Sequence, residues 1–160
     1  MTIHAWRLVR EARADEAFSG EGARLYGGRW NPPGMRATYL SETRSLAALE
    51  VLVHQAEPFP AGRFLFFEIR FPAQFVTTLT PEDLGADWRA YPARNQTVGV
   101  GGKWLSAGSS PVLRVPSVLI PEESNYLLNP GHPRAREIEI REARLFTFDP
   151  RFLKPPPGRG

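Results

Sequence analysis

The stretch Gly62–Phe71, GRFLFFEIRF, leaves this chain the least freedom. Leu65, Phe67, Ile69 and Phe71 recur at every second position, and Phe64, Phe66, Glu68 and Arg70 fill the alternate ones. A period of two sorts side chains onto opposite faces of an extended strand. A strand this apolar needs neighbours and a core to lie against. No glycine/aromatic signature of an RNA-stacking sheet accompanies these phenylalanines, so core packing accounts for them better.

Other segments fit around that strand. Ala5–Arg10 reads as a short strand with Trp6 and Leu8 on one face and Arg7 on the other. Ala37–Leu40 is a brief strand leading into a helix over Ser41–His54. Ser41 or Thr43 caps that helix, Glu42 lies near its positive end, and Pro58 and Pro60 close the unit. Thr80–Ala86 reads as a capped helical turn. Arg94–Leu105 is a short helix or a loop, weakened by three glycines. Val112–Ile120 is a strand interrupted at Pro116, which points to an edge or a bulge. Phe18–Asn31 and Pro121–Pro133 read as loops, and Glu137–Asp149 as a final strand or pair of strands. The expected fold class is α+β: a single domain over residues 1–153, mainly antiparallel sheets with short helices, followed by a disordered Pro/Gly tail at 154–160.

At 160 residues the chain suits one domain with a real core. No apolar run reaches about 18 residues, so no membrane span is expected. The N-terminus lacks the layout of a secretion signal. The absence of cysteine excludes disulfides, thiolate catalysis and thiolate-bound zinc, and a cytoplasmic protein is the default. The net charge is +3, with 18 arginines against two lysines. Arginine suits phosphate recognition, although genomic composition produces the same bias. The basic residues mostly alternate with acids, too weak a pattern to argue direct nucleic-acid binding.

Several residues draw attention as chemistry. Glu50 shares one side of its helix with Leu46, Leu49 and Val53, and a charge on a core-facing stripe needs a partner. Either it forms a structural ion pair with Arg7 or Arg29, or it serves a concave site where a carboxylate stabilises an oxocarbenium-like centre or holds a ribose hydroxyl. Arg29 follows Gly27 and Gly28 and precedes Trp30 and Asn31; it is a phosphate or ribose clamp, or a surface arginine in a turn. Tyr39 either stacks on a flat heterocycle or packs in the core. Ser117, inside Val115-Pro116-Ser117-Val118, either donates to a ligand or satisfies local backbone. His4, His54 and His132 lack metal spacing, so no metal site is expected, and His132 reads as a turn residue. Gly99-Val-Gly-Gly-Lys103 fails the phosphate-loop pattern, because Trp104 stands where a hydroxyl residue is required.

Taken in order, Trp6-Arg7, Phe18–Ala23, Gly27–Asn31, Tyr39–Ser41, Ser45–Glu50, Val115–Ser117 and Asn125–Pro133 resemble the RES-domain family, toxins of bacterial toxin–antitoxin pairs named for Arg, Glu and Ser. The resemblance implies an ADP-ribosyltransferase-like fold. It implies consumption of NAD⁺, as substrate rather than prosthetic group, by hydrolysis or phosphorolysis, with ADP-ribosyl transfer to a cellular protein as the alternative. By position it implies Arg29, Glu50 and Ser117 as catalytic residues, and Tyr39, Arg7 and Asn125 as NAD-binding residues. The implied partner is an Xre-type helix-turn-helix antitoxin whose C-terminal region covers the site; a homodimer stays open. Two readings of other classes remain at this point: a nucleic-acid-acting toxin, and a non-enzymatic interaction domain in which Glu50 pairs structurally with arginine.

Overall fold

In the computed structural model, residues 1–57, 59–93 and 95–152 are described. The expected tail at 154–160, together with Pro58 and Arg94, lies outside the described residues. The two longest strands, β1 (Thr2–Arg10) and β3 (Phe64–Pro72), pair antiparallel along their whole length, from Thr2 opposite Pro72 to Arg10 opposite Phe64. Both faces of β3 are put to use. Phe64 and Phe66 pack on one side; Phe67, Ile69 and Phe71 pack on the other.

The remaining strands are β2 (Thr38–Ser41), β4 (Val76–Thr78), β5 (Val112–Pro116), β6 (Ser124–Leu128), β7 (Glu139–Ile140) and β8 (Arg144–Phe146). They form one sheet in the order β4-β5-β6-β2-β1-β3-β7, with β8 also on β3. Every pairing is antiparallel except β4 with β5. The α+β reading therefore holds.

The junction between β1 and β2 has one residue pair, Trp6 opposite Ser41. Just beyond it, the Arg7 guanidinium donates to the Tyr39 carbonyl at 2.8 Å, supplying from a side chain a bond that further strand pairing would have given. Burial lowers the Arg7 pKa to about 10. The sheet is thus two half-sheets joined by a narrow seam. On the back face one cluster crosses the seam, combining Ala5, Ile69 and Phe71 with Leu40, Val112, Tyr126 and Leu128. On the front face the core divides. Trp30, Trp88, Trp104, Leu113, Val115 and Leu127 pack together, and Leu8, Ala47, Phe64 and Phe148 pack separately.

Among the described residues three α-helices accompany the sheet: α1 (Glu21–Tyr26), α2 (Arg44–His54) and α3 (Asn95–Ala107). Thr43 caps α2 by accepting from the Leu46 amide at 3.0 Å. Two expectations are corrected. The segment Phe18–Asn31 holds the short helix α1, and Pro121–Pro133 contains β6, a strand inside the sheet. The Pro116 expectation resolves differently: Pro116 is the last residue of β5, and β4 pairs with β5 only as far as Arg114, so the missing amide interrupts no bond to β4. Among the described residues no helix is long and apolar enough to cross a membrane.

Much of the arginine excess is held in ion pairs, including Arg24–Glu21, Arg63–Glu11, Arg70–Glu68, Arg134–Glu137, Arg141–Glu139 and Arg151–Asp149. At Glu68 the bonds from His4 and then Arg70 pull the carboxyl pKa down to about 2, from an ordinary 4.5. A depressed carboxyl stabilises the fold fully above its unfolded pKa, and that contribution fades as pH falls through the folded value. Glu68→Gln is therefore expected to melt below wild type at about pH 6. The two melting curves should converge as the pH is lowered from 4.5 toward 2. An offset that stays constant over that range would refute the assignment.

Candidate active site

The polar part of the site lies between the two front-face clusters. Register sets Val115, Asn125, Ser41 and Trp6 side by side across four adjacent strands, and directly paired residues share a face. Val115 belongs to one cluster and Trp6 packs against the other. Asn125 and Ser41 stand between them. Ser41 Oγ donates to Asn125 Oδ1 at 2.9 Å, and Asn125 Nδ2 donates to Glu50 Oε1 at 2.8 Å. Ser41 is buried, so this short chain fixes the amide and the amide fixes the carboxylate.

The orientation of α2 differs from the expected core-facing stripe. Leu46 is fully buried, but Leu49 is 40% and Val53 56% exposed, and the Glu50 side chain is 28% exposed. Glu50 therefore lines an accessible wall. The helix buries Ala47 against Leu8 and Phe64 instead, a face rotated away from Leu49 and Val53. Of the two alternatives for Glu50, the structural ion pair with Arg7 or Arg29 is not formed: its carboxylate meets Asn125, and His54 Nε2 lies 3.7 Å from Oε2.

Arg29 is held by its surroundings. Its Nη1 donates to the carbonyls of Trp88 and Ala90, each at 3.0 Å. Burial lowers its pKa, while the negative charge of Glu50 acts in the opposite direction, so the two groups sense each other without direct contact. Arg89, between those two carbonyls in the chain, donates to Val118 O at 3.0 Å.

Tyr39 explains the glycine run. Its hydroxyl donates to Asn31 Oδ1 at 2.6 Å and accepts from the Trp30 amide at 3.2 Å. A Cβ on Gly28 would lie 2.6 Å from that hydroxyl and 2.9 Å from Asn31 Oδ1, so only glycine fits there. Burial pushes the Tyr39 pKa up and keeps the phenol protonated. Asn31, itself buried, donates to the carbonyls of Ala23, Pro32 and Met35. Tyr39 thereby holds the loop that carries Arg29. Tyr39→Phe leaves a buried acceptor and a backbone donor without partners, an expected loss of about 1–3 kcal/mol in chemical denaturation. A change under about 0.3 kcal/mol would show the hydroxyl to be dispensable.

Ser117 is fully buried. Its Oγ accepts from the amides of Leu119 at 3.1 Å and Ile120 at 3.1 Å. Its own amide donates to Glu123 O. The side chain shapes the turn between β5 and β6, and that turn is tied through Val118 and Arg89 to the segment holding Arg29. The structure thus brings Glu50 and Asn125 into contact, sets Arg29 within electrostatic range, places Tyr39 on β2 and puts Ser117 beneath the adjoining turn, whereas Arg7 stands on β1 opposite Phe67, on the other face from Trp6, and reaches only the Tyr39 carbonyl. Sequence reasoning missed His54 as a neighbour of Glu50, although their spacing of four residues on a helix was visible. It also missed Ser41 and Asn31, whose hydrogen bonds depend on long-range pairing. Among the described residues no group of three or more His, Cys, Asp or Glu is placed to hold a metal.

The mixed, mostly antiparallel sheet with short helices is an ADP-ribosyltransferase-like fold. The RES domain profile matches residues 4–149. The chain belongs to the RES-domain toxin family. It is 39% identical over 160 residues to the Prs ADP-ribosylating toxin of Sphingobium sp. strain YBL2, covering 96% of this chain and 99% of that protein. A shorter match, 41% over 71 residues, covers 43% of this chain and 38% of the NAD(+) phosphorylase MbcT of Mycobacterium tuberculosis H37Rv. In three dimensions the fold is similar to a chain of the M. tuberculosis MbcT–MbcA toxin–antitoxin complex. The TM-score is 0.71 at 22% identity, over 92% of this chain and 85% of that one.

Proposed function

We propose that this protein is a toxin that consumes NAD⁺ by breaking the bond between nicotinamide and ribose. The observation that carries the reading is the Glu50 carboxylate, fixed by Asn125 in the gap between two apolar clusters and within electrostatic reach of Arg29. Nicotinamide leaves as a neutral ring from a cationic one, and the ribose left behind gains oxocarbenium character. A preorganised anion in a partly desolvated setting lowers that barrier. Glu50 is the anion. With Nη1 engaged by Trp88 and Ala90, Arg29 is held in place to bind a pyrophosphate or ribose through its other nitrogens. Arg7 holds the seam at Tyr39, whose ring offers a face for nicotinamide. Ser117 acts by holding the turn beside Arg29.

Two acceptor classes have support. The partial match to an NAD(+) phosphorylase favours phosphate or water, and the full-length match to an ADP-ribosylating toxin favours a protein side chain. The test is incubation of purified protein with NAD⁺ in water, in phosphate buffer and with lysate. Free nicotinamide is the common readout; ADP-ribose, its 1″-phosphate or labelled protein distinguishes the acceptors. NAD⁺ left intact in all three would end the reading. The similarity to a toxin of a toxin–antitoxin complex supports an antitoxin partner, with the Xre type as the expectation. Leu49, Val53, Tyr26, Tyr91 and Ile120 are exposed apolar residues next to site segments in the chain, side chains that such a cover could bury. The proposed compartment is the cytoplasm, where NAD⁺ is available.

A further inference from the structure

We infer that His54 is a positioning residue that acts on the reaction through charge: its largely exposed imidazole faces Glu50 Oε2 from the end of α2 while Asn125 holds Oε1 from the sheet, and its proton sets how much negative charge the carboxylate presents to the substrate. The geometry is a carboxylate bracketed on both oxygens, at 2.8 Å by the amide and at 3.7 Å by the imidazole. The second distance is that of an ion pair rather than a hydrogen bond, so the imidazole acts chiefly through its charge. His54 is the last residue of α2, where the helix dipole also favours a cation. The pairing with Glu50 raises the pKa of His54 above the ordinary 6.5, burial and the positive charge of Arg29 opposing that rise.

The other groups on the packed elements are occupied elsewhere. From β1, Arg7 donates to Tyr39 O, and Arg10 to Ala61 O and Gln55 Oε1. From β2, Tyr39 is held neutral by burial. Glu50 and Arg29 are thus the charges that act on this imidazole.

The sign follows from charge alone. An imidazolium beside Glu50 cancels part of the anion that faces the oxocarbenium-like ribose, repels that centre, and competes with a ribose hydroxyl for Oε2. A neutral imidazole does none of these. Turnover therefore rises with pH through the titration of His54. The inference rests on the NAD⁺-cleavage reading, and the experiment separates the two.

Nicotinamide release from NAD⁺ is measured from about pH 5.5 to 8.5 for wild type and His54→Gln, at saturating NAD⁺ and below KM. In parallel, the His54 imidazole is titrated by NMR in wild type and in Glu50→Gln. Wild-type turnover is expected to be about fivefold or more faster at pH 8 than at pH 6, the form with a neutral imidazole beside Glu50 being the faster one. In His54→Gln that ratio should drop below about twofold. The imidazole should titrate above 6.5 in wild type and fall back toward it in Glu50→Gln. An unchanged rate ratio in His54→Gln overturns the inference and leaves NAD⁺ cleavage standing. An imidazole whose titration ignores Glu50→Gln overturns it independently of activity. Absence of nicotinamide at every pH, with the two side chains still coupled, removes the reaction while keeping the charge pair.

Discussion

Glu50→Gln is expected to slow nicotinamide release from NAD⁺ by about 10²–10³-fold, the usual cost of deleting one preorganised electrostatic stabiliser. The substitution is nearly isosteric, and a glutamine oxygen still accepts from Asn125 Nδ2, so the tie between α2 and β6 survives. The side chain is partly exposed, so no buried charge is left unpaired. What disappears is the negative charge that, in the proposed reaction, faces the developing ribose cation. The measurement is single-turnover nicotinamide release beside a thermal melt. Loss of rate with a melting temperature within about 2 °C of wild type supports the electrostatic role. Full activity in the variant would remove Glu50 from the chemistry. Loss of both activity and stability would mark the carboxylate as a structural tie.

The largest expected stability effect lies far from any charge. Gly101, in the middle of α3, sits directly on the backbone of Trp30. A Cβ there would overlap the Trp30 carbonyl oxygen and lie 2.6 Å from its carbon and 3.1 Å from its Cα. These are main-chain atoms of a buried residue, and no rotamer change relieves the clash. Gly101→Ala should therefore cost about 3 kcal/mol, roughly 6–12 °C in Tm, despite the better helix propensity of alanine. Because Trp30 follows Arg29, activity should fall with it. Gly99 in the same helix has nothing within 4 Å of its would-be Cβ. There Gly99→Ala should stabilise by up to about 1 kcal/mol. The pair of melts gives opposite signs for one substitution type, two residues apart. Equal effects would refute the close-approach account.

The glycines of α3 also show why part of the fold was hard to read. Helix propensity counts Gly99, Gly101 and Gly102 as penalties, yet Gly101 and Gly102 lie against Trp30 and Pro32, contacts that only the folded chain contains. Periodicity worked where burial is one-sided or complete, as in β1, β3 and the helix carrying Glu50. It failed for β6, because Ser124-Asn-Tyr-Leu-Leu128 shows no clean alternation and lies between proline-rich turns. Its place in the sheet comes from pairing with both β2 and β5. The stripe of Leu46, Leu49, Glu50 and Val53 was correctly grouped on one side of a helix. A wheel gives angles, not neighbours, and the side shared by Leu49 and Val53 meets the gap rather than the core. Tyr39 and Ser117 were legible as positions of interest. Their roles in holding the glycine loop and the β5–β6 turn depend on hydrogen bonds that sequence spacing does not reveal.

The single rung between β1 and β2 has a mechanical consequence. Glu50 rides on a helix whose Ala47 is seated on β1 and β3, whereas Asn125 and Tyr39 are anchored on the far bank. The acid thus leans on one half of the sheet and its amide partner belongs to the other, with the shared cluster behind the seam keeping the two in register. A substitution that loosened that cluster would part carboxylate from amide while touching neither.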